Sequence, residues 1–210
     1  MRLKPSEWGV LAFASAYVIG FAVYFLRIGN SEFLWYVATL VFFMVLIAAT
    51  MKTSRFPPAI LWALAVWGLA HMAGGGLQVG DGVLYSYRLI PIAGDGEFTL
   101  LKYDQVVHFY GFGVTTFVLW HLLRRNFPGL VGSRTIYVFP VLGSMGLGAL
   151  NEIIEFVAVV SFPNTNVGGY YNTALDLVFN GLGACAAALL IFLAERSGPR
   201  PTAARSRSRS

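Results

Sequence analysis

The sequence predicts an all-α, polytopic membrane bundle of six transmembrane helices with both termini in the cytoplasm. Three observations carry that expectation. Hydrophobic residues make up 57% of the 210-residue chain and charged residues only 12%, against about 45–50% and about 25% in soluble domains. Mean hydropathy is +0.65, so a water-soluble globule of this size would lack the charge to cover itself. The basic residues also sort to one side of an alternating path. A soluble enzyme, a disordered chain and a secreted disulfide scaffold are all excluded. Cys185 is the single cysteine, which leaves no intrachain disulfide and no thiolate metal cage.

A spanning helix needs about 20 mostly apolar residues. The stretches 8–26, 33–51, 57–73, 104–123, 135–160 and 174–194 meet that length. The first follows Arg2 and Lys4, but its apolar run is too long for a signal-peptide core and no small-residue cleavage site follows it, so it reads as a retained helix. Arg2, Lys4, Lys52, Arg55, Arg124, Arg125, Arg134, Arg196, Arg200, Arg205, Arg207 and Arg209 fall on one side of the six-helix path; Arg27, Arg88 and Lys102 fall on the other. That bias places the majority side in the cytoplasm, as expected of a multi-pass protein of a cytoplasmic membrane. Residues 1–195 form the transmembrane domain. The basic tail 196–210 has nothing apolar to pack and reads as disordered and solvated. The longest outer segment, 74–103, opens on Gly74-Gly75-Gly76 and runs through Asp81-Gly82, Tyr85, Tyr87, Pro91 and Asp95-Gly96. These read as turn residues with interfacial aromatics, in a segment long enough to fold back as a cap.

Ionisable groups inside a span are costly, about 2.5–3.5 kcal/mol each near the bilayer centre, yet four helices carry them at one depth. His71 lies near the outer end of helix 3, Asp104 and His108 at the start of helix 4, Asn151, Glu152 and Glu155 in the outer half of helix 5, and Asp176 and Asn180 in that of helix 6. Residues three, four and seven apart share a helix face. On that rule Asp104 and His108 align with Gly111 and Thr115, the two glutamates with Gly148 and Ser144, and Asp176 and Asn180 with Gly183 and Ala187. Small residues let membrane helices approach closely, so the polar faces point at neighbouring helices and share one site.

That site holds four carboxyl groups, and no Lys or Arg lies within the expected spans; only Arg88 and Lys102 approach from the outer segment. Four carboxylates cannot all stay ionised at low dielectric without compensation. Either some hold protons or a cation sits among them. Carboxylate oxygens and imidazole nitrogens suit a divalent ion such as zinc, manganese, iron or magnesium. His71, His108, Glu152 and Asp176 are the expected metal ligands, Glu155 and Asp104 the expected general base or supporting groups, and Asn151 and Asn180 the polar groups beside a substrate. The bland readings are that Asp104 caps helix 4 and that Asn180 and Ser144 are interhelical hydrogen-bonding groups. Carboxylates at the same depth argue against a haem between His71 and His108; neither haem nor nucleotide is expected. His121 sits beside Arg124 at the cytoplasmic end, and Trp8, Trp35, Trp62 and Trp120 suit interfacial or lipid-facing positions.

The ordered motifs His71-Met-Ala-Gly-Gly, Tyr103-Asp-Gln-Val-Val-His-Phe-Tyr-Gly-Phe112, Asn151-Glu-Ile-Ile-Glu-Phe156 and Tyr171-Asn-Thr-Ala-Leu-Asp-Leu-Val-Phe-Asn-Gly-Leu-Gly183 resemble the YjdF-type inner-membrane family, a domain-of-unknown-function family. A looser likeness is to VanZ-like membrane proteins, which have a similar Asp-x-x-x-His-Phe helix and a later Asp-x-x-x-Asn-x-x-Gly helix. The resemblance covers about residues 68–190. It implies an architecture and a site at His71, Asp104, His108, Glu152, Glu155, Asp176 and Asn180, without an activity. The chain has Asn172 and Ala174 where some family members have Asp and Gln.

The leading functional expectation is a divalent-cation-assisted enzyme or binding protein for a membrane lipid or lipid-linked small molecule, with no nucleic-acid partner. A proton-coupled transporter is the alternative, but transporters usually carry internal repeats and none is evident. Below Glu152 such a route would find only Ser144, Thr115 and Thr116. The third reading is a non-catalytic assembly or envelope-stress protein whose polar groups only lock the bundle.

Overall fold

The computed structural model describes residues 4–90, 98–162 and 169–197. Arg2, Pro91, Asp95-Gly96 and the tail beyond Ser197 lie outside the described residues. The described residues form six α-helices: α1 (Pro5–Ile28), α2 (Ser31–Ser54), α3 (Pro58–Gly76), α4 (Tyr103–Asn126), α5 (Thr135–Ser161) and α6 (Tyr170–Ser197). Each is long and apolar enough to cross a membrane. Helix ends follow local chemistry. Prolines open α1 and α3, where their missing N–H is not needed. The Asn30 side chain caps α2 by accepting from the Phe33 N–H at 3.0 Å, and α1 stops at Gly29 with φ +69°, the left-handed terminator that glycine favours.

Packing centres on α4, which lies closest to α6 and then α5, with α3 on its other side; α1 and α2 lie outside α3. At the α4–α6 crossing a Cβ on Gly183 would stand 2.0 Å from the Phe109 carbonyl oxygen, and one on Gly113 would stand 3.3 Å from that of Gly183. Backbone meets backbone there with no side chain between. Large apolar side chains instead line the outside: Phe42, Phe139, Phe156 and Val160 are each more than half exposed, the reverse of a soluble globule.

One end of the bundle gathers the basic residues. His121 Nε2 reaches the Ser54 carbonyl at 2.9 Å and Arg125 donates to that of Thr53 at 2.8 Å, tying the end of α4 to the α2–α3 turn. Arg124 pairs with Glu195 at 2.6 Å, tying it to the end of α6.

The other end carries the segment after α3. Gly74–Gly76 is not a turn, contrary to the sequence expectation, but the last turn of α3. The glycines are there for space: a Cβ at each would overlap, in order, the rings of Tyr85, Phe33 and Phe21. A small antiparallel hairpin follows, β1 (Gln78–Val79) with β2 (Gly82–Val83), turning at Gly80 (φ +61°) and Asp81. A 3-10 turn over Leu84–Ser86 then returns Tyr85 to the glycine notch, where it is 4% exposed. An isolated antiparallel bridge between Arg88 and Lys102 closes the segment against the start of α4.

That start is organised by Gln105, 2% exposed. Its Oε1 accepts from the N–H groups of Leu101 (2.6 Å) and Lys102 (3.2 Å), and its Nε2 donates to the Thr99 carbonyl at 2.8 Å. Leu101 is held at φ +63°, a conformation bulky residues rarely adopt. Gln105→Ala removes three hydrogen bonds at once and is expected to cost about 2–3 kcal/mol, read as a lower unfolding midpoint in detergent; an unchanged midpoint would remove this role.

Candidate functional site

The site is built around His108, two turns into α4. Its Nδ1 lies 3.0 Å from Asn180 Oδ1 on α6. An amide oxygen only accepts, so Nδ1 carries a proton, and in the neutral imidazole Nε2 keeps its lone pair. Around Nε2 stand Asp104 Oδ1 at 3.6 Å, one turn back on α4, and Glu155 Oε1 at 3.9 Å, from α5. Glu152 Oε1 approaches from the Nδ1 side at 3.8 Å. Two sets of side chains share the imidazole and bring one donor atom each within 4.8 Å of one another: Asp104, His108 and Asp176, and His108, Glu152 and Glu155. All five side chains are buried.

Local spacing accounts for the assembly. Asn180, fully buried, needs room on α5, and Gly148 provides it: a Cβ there would meet the Asn180 amide nitrogen at 2.7 Å. Ser144, a turn nearer the α5 start, donates to the Phe112 carbonyl at 2.7 Å. The face holding Ser144, Gly148, Glu152 and Glu155 is therefore the face that meets α4 and α6. Two carboxylates are steadied one turn back on their own helices: Asn151 donates to Glu155 Oε1 at 2.8 Å and Asn172 to Asp176 Oδ2 at 2.6 Å. Such outer contacts orient groups that bind metals. Both oxygens of Glu152 and Oδ1 of Asp176 have no hydrogen-bond partner among the described residues, although buried polar groups are nearly always paired.

His71 stands apart from both sets. Tyr85 places its hydroxyl 2.5 Å from His71 Nδ1, and the two rings pack edge to face. Burial, reinforced by the nearby Asp104 and Glu155 carboxyls, raises the Tyr85 phenol well above its ordinary range, so the hydroxyl stays neutral and its hydrogen bond occupies His71 Nδ1. Tyr85→Phe leaves Nδ1 without its hydrogen-bond partner and is expected to destabilise the fold by about 1 kcal/mol; a thermal unfolding series in detergent measures it, and a more stable variant would contradict the assignment.

Sequence reasoning brought together Asp104, His108, Glu152, Glu155, Asp176, Asn180 and Asn151. It missed Asn172 as a support, although the same four-residue spacing picks it out. It also missed Gln105, whose third position in α4 marks a capping role. Nothing in the sequence signals that Tyr85 returns to His71.

Fold and site together define a class: a six-helix membrane protein with a buried His/carboxylate centre near one end of its bundle. The chain belongs to the family described as "Predicted membrane protein (DUF2238)", whose model matches residues 9–197. The match reaches beyond the 68–190 covered by the four motifs and takes in α1 and α2. No curated protein and no solved structure matches the chain.

Proposed function

We propose that the chain lies in a cytoplasmic membrane with both termini inside, the centre opening toward the outer leaflet, and that it binds a divalent cation there to act on a lipid or lipid-linked substrate. The positive-inside bias supports the orientation. One observation carries the cation. The distances of 3.6 and 3.9 Å around His108 Nε2 are too long for hydrogen bonds of about 2.9 Å. They are near the spacing of about 3.4 Å between ligand atoms held about 2.1 Å from one ion in a tetrahedral shell. The unpartnered oxygens of Asp176 and Glu152 fit the same need.

In this reading His108 Nε2, Asp104 and Asp176 hold the ion, with Glu155 beside them on α5, and the ion would polarise a substrate oxygen as a Lewis acid. Glu152 is the group left to take a proton. Asn180 holds the imidazole proton on Nδ1, and Asn151 and Asn172 keep their carboxylates in line. His71, held through Nδ1 by Tyr85, turns its Nε2 to the substrate. The motif likeness to VanZ-like proteins, Asp104-x-x-x-His108-Phe109 and Asp176-x-x-x-Asn180, belongs with this proposal.

A proton-coupled route is less well supported. The hydroxyls of Thr115, Thr116 and Ser144, the polar groups nearest the centre on its inner side, each donate to a helix carbonyl and offer no onward path among the described residues. Elemental mass spectrometry of detergent-purified protein tests the cation. Wild type is expected to hold about one zinc, manganese or iron per chain, and Asp176→Asn to lose most of it. Equal metal in wild type and folded variant, or none in either after loading with manganese, would sink the reading.

A further inference from the structure

Arg88 and Lys102 are partners in an antiparallel bridge. Residues directly opposite in such a pair hold their side chains about 5 Å apart, and like charges there repel. The chain nonetheless builds the pair firmly. Buried Gln105 pins residues 99–102, Leu101 is held in the left-handed region, and Arg88 Nη2 donates to Thr99 Oγ1 at 3.3 Å. Lys102 begins α4 two residues before Asp104, and its ammonium interacts electrostatically with Asp104 and Asp176. Lys102 thus brings its bridge partner Arg88 to the end of α4 that carries the centre, where Asp176 Oδ1 and both Glu152 oxygens lack partners among the described residues.

Resting on the cation reading above, we infer that the substrate carries a phosphate, bound between the centre and the Arg88–Lys102 pair. A phosphate supplies oxygens to a cation on one side and accepts charge-assisted hydrogen bonds on the other. It also relieves the repulsion between the bridged side chains. A neutral headgroup would use neither feature. The phosphate is a lipid headgroup or the free anion, and both share this chemistry.

Native mass spectrometry in detergent separates the possibilities, because it reads bound metal and bound ligand on one molecule. The probes are dioctanoyl phosphatidic acid, dioctanoylglycerol and orthophosphate, each with manganese and with chelator. Wild type is expected to prefer phosphatidic acid over dioctanoylglycerol by about tenfold or more, and Arg88→Gln/Lys102→Gln to lose that preference while binding manganese as wild type does. Lys102→Arg, which keeps the charge, should retain it. Orthophosphate binding that depends on the same two side chains, with no preference between the lipids, would assign the anion to the free form. A preference unchanged in the double variant, or absent from wild type with no orthophosphate bound, overturns the proposal. Absence of manganese from wild type overturns the cation reading alone. The phosphate is then judged by whether its binding in chelator depends on Arg88 and Lys102.

Discussion

Asn180→Ala is expected to weaken divalent-metal binding by about 10–100-fold while leaving every proposed ligand in place. The effect runs through one proton. The 3.0 Å contact from His108 Nδ1 to Asn180 Oδ1 keeps the lone pair on Nε2, where Asp104 and Glu155 stand. Without that acceptor the proton is free to move to Nε2, toward the carboxylates, and the imidazole then offers them a hydrogen in place of a ligand. Asn180→Asp should behave differently from Asn180→Ala, since a carboxylate still accepts from Nδ1 and so restores the tautomer. His108→Ala should abolish tight binding outright. Metal titration followed by elemental analysis measures all three. If Asn180→Ala bound manganese as wild type does, while His108→Ala did not, Asn180 would be a packing residue and nothing more.

Gly183→Ala is expected to be the most damaging single methyl in the bundle. Its Cβ would stand 2.0 Å from the Phe109 carbonyl oxygen, and backbone cannot rotate aside as a side chain can. Overpacking of this kind typically costs about 1–3 kcal/mol and sometimes more; a rigid obstacle places this site at the upper end. Separating α4 from α6 would also pull His108 from Asn180, so metal binding should fall together with the unfolding midpoint. Two controls bracket the result. Gly146→Ala meets nothing within 4 Å, and Gly181→Ala meets only Met145 Cε at 3.6 Å, so both should fold and bind as wild type. Equal midpoints for Gly183→Ala and Gly146→Ala would show that α4 and α6 do not pack as described.

The membrane helices were legible because the bilayer writes a coarse code: long apolar runs broken by prolines, glycines and charges. The polar depth band was legible for a related reason. A carboxylate in a span is too costly to be placed without a neighbour, so Asp104, Glu152, Glu155 and Asp176 announced one another. The helical repeat then predicted which face of α5 meets the others, and Ser144 and Gly148 do meet α4 and α6. The glycine run 74–76 misled because glycine has two uses. Composition alone does not separate a turn, which needs its backbone freedom, from a helix face, which needs its missing side chain; only the rings of Tyr85, Phe33 and Phe21 decide it. His71 shares the depth of the other polar groups, but its Nδ1 contact with Tyr85 could not be read from spacing. A contact made by an irregular segment such as 84–86 has no periodicity to reveal it.

The pairing of His108 with Asn180 joins residues 72 positions apart in sequence, and that has a consequence for biosynthesis. Asp176, Asn180 and Gly183 all lie on α6, which leaves the ribosome after the other five described helices. Until then α4 and α5 carry an imidazole and three carboxyl groups without the partners that the finished bundle supplies. A chain stopped short of α6 would keep His108, Glu152 and Glu155 but leave His108 Nδ1 without its acceptor and the Gly148 notch without the Asn180 side chain that fills it.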